Sequence, residues 1–121
     1  MSVVTFPTVK PYTQVAVNST QVFAAIVDPQ APDVNSELLV DAAGGRSILV
    51  VKPILNVGAD LGGAFVRMQT AAVSPSTCYV NKAAWVSILP HPQQPGVCQV
   101  FGQNRYVAVQ GDIQSVSALL S

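Results

Sequence analysis

The chain has 121 residues, of which 50% are hydrophobic and only 10% are charged, against roughly 25% charged in an average soluble domain. Six basic and six acidic residues balance, and neither sign clusters. A sparse, neutral charge set lacks the basic surface that nucleic acid requires, and no apolar stretch reaches the roughly 20 residues that cross a bilayer. We therefore expect neither a nucleic-acid partner nor a membrane partner.

The low charge also bears on association. A free monomer usually carries charge on its surface, and a net charge near zero promotes association. The composition therefore favours a chain whose surface is largely covered by other subunits. The alternative is a monomer whose surface is wetted by Ser, Thr, Asn and Gln.

In the first half of the chain, prolines and glycines separate short segments of β-strand character. The expected strands are 3–6, 14–17, 22–27, 37–40 and 47–51, with proline-marked loops at 7–11 and 28–33 and a glycine turn at 43–45. The period then changes, because Ile54, Val57 and Leu61 are spaced i, i+3 and i+7. With Pro53 suited to a first helical turn, this spacing predicts a short helix over 53–61.

The second half follows the same order. The expected strands are 65–70, 78–80, 85–89, 97–101 and 105–109, with turns at 73–77 and 102–104 and a proline loop at 90–96. A second helix is predicted to begin after Asp112 as N-cap. Its apolar face would carry Ile113, Val116, Leu119 and Leu120.

Residues 17–61 match residues 80–120 as diverged copies. Val17-Asn18 corresponds to Val80-Asn81 and Pro29-Gln30-Ala31-Pro32 to Pro92-Gln93-Gln94-Pro95, at an offset of 63. After a four-residue shortening the offset is 59, and the matched pairs are Arg46 with Arg105, Val50 with Val109, Ile54 with Ile113, Val57 with Val116 and Leu61 with Leu120. The pattern predicts a tandem duplication in which each copy uses the same turns and the same buried face.

The fold expected from this pattern is all-β. Residues 1–63 would form a first β repeat with an N-terminal arm, and residues 64–121 a second repeat. Each would have four or five strands and one short helix, packed as a β-barrel or sandwich with pseudo-two-fold symmetry. Neither half is long enough to fold comfortably alone, so we expect one compact domain with a shared core.

Candidate catalytic groups are few and dispersed. His91 is the single histidine, and it lies in the second proline loop, where a general base or a ligand could stand. Asp28 and Asp33 flank the first proline loop and could bind a cation, although their counterparts in the repeat are His91 and Gly96. Because no second ligand, nucleophile signature or phosphate-binding glycine motif accompanies them, we expect solvated loop residues, no enzyme, no metal and no cofactor.

Cys78 and Cys98 lie only in the second repeat. A disulfide that holds the fold together would more naturally occur in both copies or bridge them. We therefore favour two buried thiols over a disulfide bond. Two cysteines also fall short of the four ligands that structural zinc requires.

The residues most suited to contacts with a partner are aromatic side chains and stiff proline loops. Tyrosine and tryptophan are favoured interface anchors, and they are equally good core fillers, so both roles stay open. Stiff loops lose little entropy on binding. The candidate interface residues are Phe6, Pro7, Tyr12, Pro29, Gln30, Pro32, Tyr79, Trp85, Pro92, Gln93, Pro95 and Tyr106.

Two resemblances bear on function. The order of strands from Val80 through Trp85–Ile88, Val97–Val100 and Tyr106–Val109 to Asp112-Ile113 resembles small β-rich proteins of bacterial motility operons and phage genomes. The whole chain, being short, β-rich and poor in charge with an apolar N-terminal segment, resembles tailed-phage capsid decoration, or cement, proteins. This second resemblance implies a structural role in a virion.

We accordingly expect a non-enzymatic structural protein of a virion-like assembly, in which residues 1–12 and the two proline loops reach neighbouring subunits. Its partners would be copies of itself, as a trimer, and a major capsid or other structural protein, with no small-molecule substrate. Three duplicated chains would present six similar units around a three-fold axis. The protein would be found in the virion, assembled in the host cytoplasm. The alternative function is a soluble β-rich module that binds a peptide or sugar through the aromatic second repeat.

Overall fold

The computed structural model describes residues 3–41, 46–72 and 74–121. The described chain is mostly β, with two short α-helices and one 3-10 turn at Ser19–Gln21. The first series of elements is β1 (Val3–Pro7), β2 (Gln14–Asn18), β3 (Val22–Val27), β4 (Ser36–Val40), β5 (Arg46–Val50) and α1 (Ile54–Leu61). The second series is β6 (Phe65–Gln69), β7 (Thr77–Asn81), β8 (Ser87–Pro90), β9 (Val97–Phe101), β10 (Tyr106–Gln110) and α2 (Ile113–Leu119).

The strands form three antiparallel sheets, and none of the three closes into a barrel in the described residues. β1 pairs with β2, β8, β9 and β10 form a three-stranded meander, and the central sheet has the order β5-β4-β3-β7-β6. Two isolated bridges join Thr8 to Val50 and Thr70 to Val109. Each bridge links the residue that follows the first strand of a series to the last strand of the same series. The expected barrel is therefore wrong, whereas the expected β class is confirmed.

The two series use the same pairing. Each begins with a hairpin, β1–β2 or β6–β7, and continues with a three-stranded meander and a helix. Asn18 lies opposite Val3 in the first hairpin and Asn81 lies opposite Phe65 in the second. We call residues at the same register position of the two series counterparts. A residue of β1 and its counterpart in β6 are 62 positions apart. The offset is 63 for residues of β2 and β3, and 59 for residues of β5 and α1.

Apolar side chains pack into two adjacent clusters. The first surrounds α1 and contains Phe6, Val17, Val22, Ala25, Leu38, Val50, Ile54, Val57, Leu61 and Phe65. The second surrounds α2 and contains Phe23, Ala24, Leu39, Met68, Cys78, Val80, Cys98, Val100, Val107, Val109, Val116 and Leu120. The expected common core thus takes the form of two clusters, and β3 and β4 supply side chains to both because successive residues of a strand point to opposite faces of the sheet.

Helix ends agree with the sequence patterns. Pro53 is the N-cap of α1, and Gly62 ends the helix with φ of 98°, a conformation that favours glycine. Asp112 caps α2, and its carboxylate accepts a hydrogen bond from the Ser115 backbone N–H at 2.8 Å. This hydrogen bonding from Ser115 holds the pKa of Asp112 below its usual value. Both predicted helices are therefore confirmed, with their starts displaced by one residue or none.

Candidate assembly surfaces

Each proline loop begins with a side chain that accepts a hydrogen bond from the backbone two residues later. The Oδ1 atom of Asp28 accepts from the Gln30 N–H at 3.0 Å, and the Nδ1 atom of His91 accepts from the Gln93 N–H at 3.1 Å. Such contacts mimic a backbone turn and fix the start of a loop. Asp28 and His91 are counterparts, so two different residue types do the same structural work.

The polar candidates do not converge. In the described residues, no group of three or more His, Cys, Asp or Glu side chains could hold a metal ion. Asp28 is buried by its own turn, whereas Asp33 is exposed. Asp28, Asp33 and His91 therefore give no metal-binding group within the described ranges.

Both cysteines are free, buried thiols of the second cluster, as expected. Burial raises the pKa of Cys78 to about 12, because the apolar surroundings disfavour the thiolate. Burial raises the pKa of Cys98 as well, and the nearby charge of Asp112 adds to it. Nucleophilic chemistry needs the thiolate, the form that burial disfavours at both residues.

The three aromatic candidates of the second repeat lie in different places. Trp85 is half-buried against the second cluster, and its indole Nε1–H donates to the Leu120 carbonyl at 3.1 Å, which ties down the end of α2. Tyr79 is half-buried against the first cluster. Tyr106 is exposed, with its ring centroid 5.2 Å from that of Phe101. Of the three, Tyr106 alone presents most of its ring to a partner.

The segment expected to be an arm is part of the fold. Residues 3–7 form strand β1, and the Pro7 carbonyl accepts a hydrogen bond from the Val51 N–H at 2.8 Å. Phe6 is fully buried in the first cluster, so its side chain is a core residue and is withdrawn from the candidate interface. The reason is that the β1–β2 hairpin supplies the apolar face that covers α1 and β5. Pro7 and Tyr12 are exposed.

An apolar groove of about 880 Å³ lies beside the first proline loop. It is lined by that loop (Pro29 and Pro32), by residues on both sides of the turn between β6 and β7, and by the start of β10, including Tyr106. The groove thus joins three of the predicted interface residues. Gln30 is exposed beside it, whereas Pro92, Gln93 and Pro95 are exposed on the separate second loop.

Among the described residues, the outer edges of β1 and β5 meet at the Thr8–Val50 bridge and those of β6 and β10 at the Thr70–Val109 bridge, whereas β2 and β8 have no partner on their outer side. β2 pairs only with β1, and β8 pairs only with β9, among the described residues. An unpaired edge presents backbone N–H and C=O groups that can bind another strand. Exposed apolar side chains flank the β8 edge, namely Val86 and Leu89. These two edges are therefore candidate surfaces for assembly.

Comparisons with protein-family models, with curated proteins and with solved structures find no match to this chain. Neither described helix has the length and apolar character needed to span a membrane.

Pattern reasoning on single residues missed the open edges and the residues beside them, among them Val3, Asn18, Val86 and Ile113. A signal for two of them was present, because the repeat matches Asn18 with Asn81 and Ile54 with Ile113. Only the sheet order shows that one member of each pair is covered and the other is not.

Proposed function

We propose that this chain is a tandem duplication of one β unit and a non-enzymatic structural protein of a virion-like assembly. Its specific role would be that of a phage capsid decoration protein, which stabilises a shell through contacts with copies of itself and with a major capsid protein. The trimer remains the favoured state, because three duplicated chains present six similar units.

The duplication is supported by the agreement of sequence and packing. The matched residues Val17 and Val80, Val50 and Val109, Val57 and Val116, and Leu61 and Leu120 are all buried, each pair divided between the two clusters. The isolated bridges also lie at matching positions of the two series, because Thr8–Val50 in the first corresponds to Thr70–Val109 in the second. An inherited unit would conserve these positions because they define its buried face.

The observation that carries the assembly role is the character of the surface. Eleven large apolar side chains are exposed in the described residues of a chain with very few charges. Single exposed apolar residues are ordinary, but here they accompany two open strand edges. Open, uncharged edges favour association, and natural monomers usually protect their edges with charge. No charged residue occurs in β2 or β8.

Sedimentation and electron microscopy of particles from the source test this function. We expect the chain to co-sediment with assembled particles and to appear as density on the outside of the shell. Recombinant protein added to particles that lack the chain should restore that density. A chain that stays at the top of the gradient, with particles of full stability in its absence, would contradict the role.

A second function is favoured by one observation, the apolar groove that contains Tyr106. A pocket of several hundred Å³ with an aromatic wall is typical of sites for peptides or small ligands. Trp85 and His91 do not line this groove, so the alternative module would use Tyr106 instead. Titration of labelled protein with peptide and oligosaccharide libraries, followed by NMR, tests it. Saturable shifts at Tyr106 and Pro32 that disappear in Tyr106→Ala would support it.

A further inference from the structure

In the part of the chain that the structure describes, one strand pair joins the two series of strands. β3 pairs antiparallel with β7, with Ala24 opposite Val80 and Ala25 opposite Tyr79. The counterpart of β3 is β8, and the counterpart of β7 is β2. Among the described residues, these two strands end a sheet and have no bridge to another strand on their outer side, whereas the other four outer strands are joined in pairs by the Thr8–Val50 and Thr70–Val109 bridges. The internal junction therefore pairs a strand of the β3 type with a strand of the β7 type, and the other strand of each type, β8 and β2, lacks such a partner.

We propose that a second copy of this chain fills each open edge, with β8 of one copy paired antiparallel to β2 of the next. In the register of the internal junction, Ile88 lies opposite Ala16 of the next copy and Ser87 lies opposite its Val17. This contact rests on the structural role proposed above and identifies the surface through which copies associate.

Two residues that are buried beside the internal junction have exposed counterparts beside the open edges. Phe23 is 0% exposed and its counterpart Val86 is 59% exposed. Phe65 is 8% exposed, whereas its counterpart Val3 is 57% exposed. Val86 stands beside the β8 edge, and Val3 belongs to the hairpin that offers β2. A second copy would cover both, as the other half of the chain covers Phe23 and Phe65.

The helices repeat this difference. Ile54 of α1 is 8% exposed and Ile113 of α2 is 41% exposed. In contrast, Leu55 and its counterpart Gln114 are both exposed. Exposure therefore differs at positions near the junction and not at a position away from it. This contrast argues that α2 lacks a neighbour that α1 has.

A buried hydrogen bond of the internal junction is not formed at the matching position of the open edge. Asn81 is buried, and its side-chain amide donates to the Val22 carbonyl at 2.9 Å across the internal junction. Asn18 is exposed in the chain, and its Oδ1 caps the 3-10 turn that follows. In the proposed contact the Asn18 amide faces the carbonyl of Trp85 in the preceding copy, since Trp85 is the counterpart of Val22.

Side-chain sizes are compatible at the second contact. At the internal junction the Tyr79 ring lies so close to Gly58 that a Cβ built there would be 2.1 Å from the ring. The counterparts are Ala16 and Ser117, a smaller side chain facing a larger helix position. The smaller Ala16 leaves room for the Ser117 side chain, so β2 of one copy meets α2 of another without a clash, although the pair fills less volume than Tyr79 and Gly58.

Such a contact joins different surfaces of each copy, so repetition gives either a closed ring or an open filament. We assign the closed ring of three, in which β2 and β8 of every copy are paired. Closure thus removes the liability that the unprotected edges of β2 and β8 carry.

A matched pair of charge substitutions tests the contact in purified protein. Val86→Asp places a charge at the proposed junction, and Leu55→Asp places the same charge at the exposed position outside it. We expect the unaltered protein and Leu55→Asp to be trimeric by light scattering, and Val86→Asp to be a monomer with unchanged circular dichroism. A protein that is monomeric at about millimolar concentration, or a trimer that Val86→Asp leaves intact, would overturn the proposal.

Cysteine cross-linking tests the register. Opposed residues of an antiparallel pair have Cα atoms about 4.5–5.5 Å apart, within disulfide range. We expect Ala16→Cys chains mixed with Ile88→Cys chains to form disulfide-linked dimers under mild oxidation. Gln14→Cys mixed with Ile88→Cys is displaced by two residues and should cross-link at least tenfold more slowly. Equal rates for the two mixtures would exclude this register.

The contact between copies and the role in a virion can be tested independently. Specific cross-linking in a protein that never binds particles would retain the contact and remove the decoration function. Particle decoration by a protein whose β8 and β2 edges do not cross-link would retain the decoration function and remove the contact.

Discussion

The close contact between Gly58 and Tyr79 predicts that Gly58→Ala destabilises the protein when Tyr79 is present and stabilises it when Tyr79 is replaced by alanine. In an isolated helix interior, Gly→Ala stabilises by about 1 kcal/mol, because alanine loses less backbone entropy. In this protein a Cβ at Gly58 would lie 2.1 Å from the Tyr79 ring, against at least 3.4 Å for an ordinary contact. The ring or the helix must therefore move by about 1.3 Å.

Overpacking of this kind costs about 1–3 kcal/mol. We expect Gly58→Ala to lower the free energy of unfolding by about 1–2 kcal/mol in the natural background. In the Tyr79→Ala background the obstruction is gone, so the same substitution should stabilise by about 1 kcal/mol. The two substitutions should therefore be coupled by about 2–3 kcal/mol, a value expected only for residues in contact.

Urea denaturation of the four proteins of this cycle measures the coupling. Gly63→Ala is the control, because a Cβ at Gly63 meets nothing within 4 Å and should behave alike in both backgrounds. An equal, stabilising effect of Gly58→Ala in both backgrounds would refute the placement of Tyr79 on α1, and with it the packing of β7 against the first cluster.

Three other substitutions or conditions test the packing. Asn81→Ala removes a buried hydrogen bond and should destabilise by about 1–3 kcal/mol; Asn18→Ala, at the exposed counterpart, should cost less in urea denaturation of the monomer. Trp85→Phe should cost about 0.5–1.5 kcal/mol through loss of the hydrogen bond to the Leu120 carbonyl, and an unchanged midpoint would contradict that bond. Because the raised pKa of Cys78, about 12, keeps its proton bound in the native state, stability should fall as pH rises above the ordinary value of 9.0. Cys78→Ala should reduce that slope, and thiol reagents should label the native protein far more slowly than the unfolded one.

Local patterns predicted most of the elements. The strands 22–27 and 97–101 have the predicted bounds, and Asp112 caps α2 as expected. The strand expected at 85–89 instead covers Ser87–Pro90, because the Trp85 side chain binds the end of α2 and sits outside the ladder. The turn expected at 43–45 and the start of the one expected at 73–77 lie outside the described residues.

The arrangement of the strands was beyond those patterns. Pairing of β3 with β7 joins residues more than 50 positions apart, and alternation within a strand does not specify its partner. For the same reason the sequence identified Phe6 as a surface aromatic, although the β1–β2 hairpin turns it into the first cluster. The repeat matched Asn81 with Asn18 and Ile54 with Ile113, but it did not show that the first member of each pair is buried and the second exposed.

The proposed contact between copies should be weaker than the internal junction. Where the internal junction uses Phe65 and Tyr79, the external one has Val3 and Ala16, and each CH₂ removed from a buried contact forfeits about 0.8 kcal/mol. A single such contact would hold two chains poorly, because association also costs translational and rotational freedom. The third contact of a ring closes within one complex and avoids that cost. We therefore expect monomers and trimers to dominate in analytical ultracentrifugation across a dilution series. A stable, abundant dimer would show that one contact between copies is sufficient without ring closure. It would also show that the small side chains of Val3 and Ala16 do not limit the affinity of that contact.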